Sequence, residues 1–207
     1  AGIFLAKLLA QKKLWFKKFI HACLYSGWLM PEAATAFIFF FLFSIDGEVN
    51  QLLILSGNVS RVWLTDSPLL VIALAHLWSG TAFSLIIYET ALDLVPEILT
   101  DSARCDGANS FQVFFCITIP SLADTIRSNT AILILNNLGV FGLIFMLTGG
   151  GPMLRSTTFP LFVFRNAISG SDTGYGMALS FILFAISIVI SLAHVTIVNQ
   201  GNKEIEC

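Results

Sequence analysis

A polar, charged stretch, Asp101 to Pro120, carries the residue types best suited to a specific contact with another protein. It opens with an acid and two small residues, followed after two positions by a second acid and a glycine. After nine more residues comes an isoleucine, and a proline follows three positions after it. Carboxylates on a helix surface can pair with cations, and glycine permits a tight turn. We call this stretch the island, and its pattern residues are Asp101, Ser102, Ala103, Asp106, Gly107, Ala108, Ile117 and Pro120.

The sequence contains no residue pattern typical of a catalytic or metal-binding site. No Gly-x-x-x-x-Gly-Lys-Ser/Thr loop is present, so we do not expect ATP to be bound here by a P-loop. The four cysteines lack paired or metal-site spacing, and reduced thiols are the simplest interpretation. They are Cys23, Cys105, Cys116 and Cys207. We predict a chain that is not itself an enzyme and that holds no metal or cofactor of its own.

Long apolar runs flank the island and must position it. The 207 residues are 56% hydrophobic and 12% charged, with nineteen phenylalanines. A helix needs about 20 apolar residues to cross a bilayer, where its backbone groups must be paired internally. The runs 22–44, 68–92, 131–147 and 177–198 approach this length. We therefore predict an all-α transmembrane bundle that forms one domain over residues 1–207.

A fifth apolar run, residues 1–10, is too short to span a membrane. We interpret it as the end of a helix that begins before this sequence. A signal peptide is the alternative, but the positive charges lie on the wrong side of the apolar stretch.

The positive charges predict an orientation, because cytoplasmic loops are enriched in lysine and arginine. Eight of the eleven lysines and arginines fall around the first connection, the island region and the C-terminal tail: Lys7, Lys12, Lys13, Lys17, Lys18, Arg104, Arg127 and Lys203. The remaining three are Arg61, Arg155 and Arg165. The island and the C-terminus are thus predicted to be cytoplasmic. The net charge of −2 indicates no nucleic-acid partner.

Local signals predict that the island region forms a helix, a turn and a second helix. Pro96 turns the chain out of the preceding run, and residues 97–103 can form a short helix. Gly107 can adopt the positive φ that ends such a helix, and Asn109 favours a new start. Three phenylalanines are too apolar for free solvent and are expected to pack against protein: Phe111, Phe114 and Phe115.

The spacing of the island resembles the EAA loop of ABC-importer membrane subunits, in which EAA, three residues, Gly, nine residues and I-x-L-P follow one another. Asp101 stands where the family has Glu, and Ile119 stands where it has Leu. The resemblance implies a MetI-like permease whose loop 93–121 docks on a separate ATPase subunit that holds ATP and Mg²⁺. A second EAA, which begins at Glu32, lies within a predicted span and lacks the rest of the pattern. Glu32 should instead face a cavity, a partner or the interface.

Two further regions resemble the same family. Gly47 and Asn50 match its G-x-x-N pattern after the corresponding span. The LTGGGP, STTFPLFVFRNAI and GYGMALS blocks resemble permeases for sugars and glycerol phosphate. Their glycines and proline should end the third span: Gly150, Gly151 and Pro152. Loops 46–66 and 149–176 are then external, where a solute-binding protein would dock.

Polar residues within spans are candidates for a solute path. Trp78 could stack on a sugar ring, and Asn136 or Asn137 could bind its hydroxyls. Each of them could equally be a packing contact between helices.

The resemblance implies a permease of a prokaryotic inner membrane. The N-terminal helix that the family has is not expected within these 207 residues. It implies a second permease subunit, two ATPase subunits, a solute-binding protein and a sugar or related polyol as solute. Two other interpretations remain: a secondary transporter or channel without an ATPase, and a structural membrane scaffold. Neither of them would require the island pattern.

Overall fold

The computed structural model describes residues 2–10, 14–169 and 173–205. Within these ranges the regular secondary structure is helical throughout, as predicted. The helices are α1 (Gly2–Ala10), α2 (Leu14–Leu29), α3 (Glu32–Leu42), α4 (Glu48–Leu55), α5 (Trp63–Asp66), α6 (Pro68–Asp93), α7 (Glu97–Cys105), α8 (Ser110–Val113), α9 (Ile119–Ser121), α10 (Ala123–Leu138), α11 (Gly142–Leu147), α12 (Phe159–Phe164) and α13 (Thr173–Ile205). Two π-helical segments, Phe114–Thr118 and Arg165–Ser169, follow α8 and α12. Lys12, Lys13, Cys207 and part of the predicted loop 149–176 lie outside the described residues.

Two of the predicted spans are single long helices. Among the described residues, Pro68–Asp93 and Thr173–Thr196 have the length and apolar composition to cross a membrane. They coincide with the predicted runs 68–92 and 177–198. Only 6% of the most apolar window of the second helix is buried by the rest of the chain, so most of its surface is available to lipid or another subunit.

The other two predicted spans are interrupted, and the prediction of one continuous helix in each was wrong. The run 22–44 is divided between α2 and α3 by Met30 and Pro31. Pro31 adopts an extended backbone, φ −57° and ψ 144°, and it has no N–H to continue the ladder of α2. The run 131–147 is divided between α10 and α11 by residues 139–141. Apolar composition alone does not reveal either break.

The chain divides into two compact units. The first contains residues 1–28, 80–134 and 191–207. Its described core joins α1 and α6 through Ala6, Leu9, Leu85 and Tyr88. A buried amide adds a polar contact in this unit, because Asn129 Nδ2 donates to Ser84 Oγ and to Tyr88 Oη at 3.0 Å each.

The second unit contains residues 29–79 and 135–190. Its core is larger and brings α3 and α11 together with the start of α6 and with α12. The buried members are Ala36, Phe39, Phe43, Val71, Ile72, Ala75, Val140, Leu143, Ile144, Leu147 and Leu161.

Candidate functional site

The island lies in a helix–turn–helix, which we call the hairpin (residues 97–121). Its first helix, α7, begins after Pro96 and ends at Cys105. Gly107 has φ +88°, and its N–H donates to the Arg104 carbonyl at 3.0 Å. The Ala108 N–H donates to the Ala103 carbonyl at 2.9 Å. These bonds close the end of α7 with glycine in the left-handed region, which confirms the predicted stop.

Asn109 begins the second half of the hairpin, also as predicted. Its Oδ1 accepts from the Gln112 N–H at 2.8 Å, while Gln112 Oε1 accepts from the Asn109 N–H at 2.8 Å. This reciprocal pair is a capping box, which pairs two backbone donors that the start of a helix leaves open. Helical structure continues over Ser110–Ser121. Its π-helical part ends at Thr118, two positions before Pro120, whose ring would collide with the carbonyl of a regular helix four residues earlier.

The turn brings most of the island pattern around one groove of about 290 Å³. Five of the eight pattern residues line it, together with Gln112, Val113 and Cys116: Ala103, Asp106, Gly107, Ala108 and Ile117. The small side chains leave room for an inserted group, and Asp106 adds a carboxylate.

The other three pattern residues lie outside the groove. Asp101 contacts Arg104 at 3.5 Å, and because both side chains are exposed, this pair adds little stability. The Ser102 hydroxyl donates to the Ile98 carbonyl at 2.8 Å, and Pro120 is exposed. Asp101 and Arg104 therefore present both signs of charge on the outer surface of α7.

The three phenylalanines of the hairpin were expected to pack against protein, and within this chain only Phe114 does so among the described contacts. Phe111 and Phe115 do not pack into this chain: they are 71% and 50% exposed, with ring centroids 4.5 Å apart. Phe114 is partly buried, and Lys7 Nζ lies 4.6 Å from its ring centroid. Phe111 and Phe115 thus form an exposed apolar pair in the second half of the hairpin. Their sequence neighbours Gln112 and Cys116 line the groove.

Lys7 is a hairpin contact that the sequence did not predict. Its Nζ also donates to Thr118 Oγ1 at 3.2 Å, across 111 residues of sequence. Because no local pattern encodes a contact over that distance, no signal in the sequence could have found it.

The G-x-x-N pattern folds the loop 46–66. Asn50 is fully buried: its Nδ2 donates to the carbonyls of Ser44, Ile45 and Arg61 at 3.0, 3.1 and 2.8 Å. Its Oδ1 accepts from the Arg61 N–H and from Trp63 Nε1, both at 3.0 Å. A Cβ at Gly47 would lie 2.4 Å from the Phe41 carbonyl oxygen, so only glycine fits there. Asn50 shapes this loop and is not itself exposed to a partner.

The glycine turn after α11 is held by hydroxyl groups. Gly150 has φ +81°, and its N–H donates to Thr148 Oγ1 at 3.2 Å. Ser156 Oγ donates to the Gly151 carbonyl at 2.7 Å, just before Pro152. As predicted, helix α11 ends at Leu147, before these residues.

The candidates for the solute path lie on α6 and at the end of α10. Trp78 is 48% exposed on α6. Asn136 and Asn137 are exposed in the last turn of α10, directly before residues 139–141. The asparagines therefore lie at a break in the helix rather than in the middle of a span.

Comparison with known proteins decides the family. The family model described as a binding-protein-dependent transport system inner membrane component matches residues 1–201. The chain belongs to this family. It is thus a component of an inner membrane, in agreement with its two long apolar helices.

Individual relatives carry sugar-transport names. The sulfoquinovosyl glycerol transport system permease protein SmoG of Agrobacterium fabrum is 30% identical over 175 residues, which are 83% of this chain and 56% of the relative. The multiple sugar-binding transport system permease protein MsmF of Streptococcus mutans is 27% identical over 94% of this chain and 67% of the relative. The chain thus spans little more than half of SmoG's length.

A solved structure shares the fold. A chain in the crystal structure of a bacterial alginate ABC transporter, in complex with an alginate pentasaccharide-bound periplasmic protein, matches with a TM-score of 0.84. The match covers 93% of this chain and 69% of that one at 22% identity. The likeness concerns the arrangement of the helices.

Proposed function

We propose that the chain is a transmembrane subunit of an ATP-driven ABC importer and that the hairpin couples it to a separate ATPase subunit. The observation that carries this proposal is the groove at the turn of the hairpin, which is lined by five of the eight pattern residues of the island. The exposed rings of Phe111 and Phe115 add apolar surface of the kind that a partner protein covers. Membership of the binding-protein-dependent transport family supports the same role.

Energy would come from the partner subunit. The sequence contains no P-loop, so ATP and Mg²⁺ belong to the ATPase, and this chain is not an enzyme in its own right. Closure of two ATPase subunits would move the hairpin as a rigid lever and switch the permease between its inward-open and outward-open forms. The capped start of its second helix and the closed end of α7 supply the rigidity that such a lever needs.

The proposed assembly contains a second permease subunit, two ATPase subunits and an extracytoplasmic solute-binding protein. The exposed apolar surface of α13 suits lipid or the second permease. The hairpin and the C-terminus face the cytoplasm, while loops 46–66 and 149–176 face the binding protein. The solute is a sugar, an oligosaccharide or a related polyol, as the names of these relatives suggest. Trp78, Asn136 and Asn137 are the proposed contacts along its path.

Substitution of Gly107 tests the coupling role with a matched control. Gly57 ends α4 in the same way: it has φ +82°, and its N–H donates to the Ile54 carbonyl at 3.0 Å. A Cβ at either glycine would meet nothing within 4 Å. Gly107→Asp and Gly57→Asp therefore introduce the same backbone strain, about 1–2 kcal/mol, and the same charge.

The measurement is ATP-driven solute uptake by vesicles that contain the complete importer, together with co-purification of its P-loop subunit. Gly107→Asp should abolish both, whereas Gly57→Asp should leave the ATPase bound. Equal effects of the two substitutions would contradict a docking role for the hairpin. Wild-type uptake without any ATPase would instead support a secondary transporter or channel.

A further inference from the structure

The interruption between α10 and α11, residues 139–141, leaves backbone groups without helical partners inside an apolar segment. A helix end has unpaired N–H and C=O groups, and in lipid each of these is costly unless another group pairs with it. Here two side chains from elsewhere in the chain provide the partners. Glu32 Oε2 accepts from the Leu143 N–H at 3.0 Å, and Thr158 Oγ1 donates to the Val140 carbonyl at 3.2 Å.

The Glu32 contact is specific to its position. Glu32 is the first residue of α3, directly after the break at Pro31, and it reaches the first turn of α11 across 111 residues of sequence. A carboxylate is favoured near the N-terminus of a helix, where the backbone dipoles point their positive ends. The contact therefore ties the breaks in the two interrupted spans to each other.

Gly142 lies beside the Glu32 carboxylate and leaves room for it. A Cβ at Gly142 would lie 2.5 Å from Glu32 Oε2, so any other residue would force the carboxylate away from the Leu143 N–H. Gly139, in the same interruption, has no such neighbour: a Cβ there would come no closer than 3.8 Å, to the Asn136 carbonyl oxygen. Glycine at position 142 thus leaves space for the Glu32 carboxylate beside the Leu143 N–H.

We propose that Glu32 is a positioning residue of the solute path, because it holds the interruption 139–141 and, through it, the preceding Asn136 and Asn137. This inference rests on the proposed import function. The core of the second unit supports it, since α3 and α11 pack together through Phe39, Ile144 and Leu147. A shift of α11 away from Glu32 would change the direction in which the end of α10 presents its amides.

The test uses Glu32→Ala, with Glu32→Gln as the conservative variant that keeps an acceptor oxygen. Hydrogen–deuterium exchange at the Leu143 amide in the assembled importer reports the bond directly. It should become faster in Glu32→Ala and stay near the wild-type rate in Glu32→Gln. Glu32→Ala should also raise the KM for the transported sugar about tenfold, which is about 1.4 kcal/mol, with little change in the maximal rate.

Alanine substitutions of Gly142 and Gly139 supply a matched pair of variants. Gly142→Ala should reproduce both effects of Glu32→Ala, and the double variant should be no worse than either single one, because both remove the same contact. Gly139→Ala should behave as wild type. Unchanged exchange in Glu32→Ala, or faster exchange with an unchanged KM, would overturn the inference. If the wild type shows no ATP-driven uptake, the proposed function and the solute-path role both fall, while the exchange data still show whether Glu32 holds the break.

Discussion

At the scale of single residues, Asn50 shows how one side chain can fold a loop. A primary amide has two donor hydrogens and one acceptor oxygen. At Asn50 the nitrogen donates to three carbonyl oxygens, and the oxygen accepts from two N–H groups. The residue is fully buried, so these contacts are protected from water. The sequence identified Asn50 through its spacing from Gly47, but not its burial, because the pattern does not say which way the side chain points.

Substitution of Asn50 should destabilise the protein strongly. Asn50→Ala leaves buried donors and acceptors unpaired, at a cost of about 3 kcal/mol. Asn50→Asp should be at least as harmful, because it places a carboxylate against three carbonyl oxygens. Thermal unfolding in detergent measures the loss, with Asn58→Ala as the control, since the exposed Asn58 donates its side-chain bond to nearby Ser56. Equal melting temperatures for Asn50→Ala and Asn58→Ala would show that the buried amide is dispensable.

At the scale of elements, the hairpin turn is formed by contacts between residues close in the sequence, whereas the breaks in the spans also involve residues far apart. Its turn could be predicted because Gly107 and Asn109 act on neighbouring backbone groups. The backbone groups at the break between α10 and α11 bond to Glu32 and Thr158, which lie elsewhere in the sequence, and apolar composition does not encode such contacts. Gly139, Gly142 and Pro31 were the available signals, and each is also found within membrane helices.

Lys7 is expected to hold the hairpin against α1. Its contacts with Thr118 and the Phe114 ring attach the second half of the hairpin to the first described helix. Lys7→Met keeps the length of the side chain but removes the charge and the donor, so force from an ATPase should be transmitted less completely. We expect more ATP hydrolysed per solute imported, by about twofold to fivefold for a loss of about 0.5–1 kcal/mol.

Lys18→Met is the control for Lys7→Met, because Lys18 is exposed on α2. It should leave the ratio of ATP hydrolysed to solute imported unchanged. The same ratio in Lys7→Met and wild type would show that α1 does not support the hairpin.

At the scale of the whole molecule, each compact unit gathers separate parts of the chain. Helices α6, α10 and α13 contribute residues to both units. The first unit contains the hairpin, and the second contains the glycine turn and the end of α10 with its asparagines. The sequence predicted the helices and the hairpin, but composition could not show how the helices divide between units.

Cross-linking from the native cysteines of the hairpin tests the central claim most directly. Cys105 and Cys116 are exposed, and Cys116 lines the groove. In vesicles that contain the complete importer, a cross-linker with one thiol-reactive end and one photoreactive end should join these cysteines to the P-loop subunit, and the yield should change when ATP is added. The adduct should disappear in the Cys105→Ala/Cys116→Ala variant while uptake persists. ATP-driven uptake with no cross-link from either cysteine to the P-loop subunit would contradict the account.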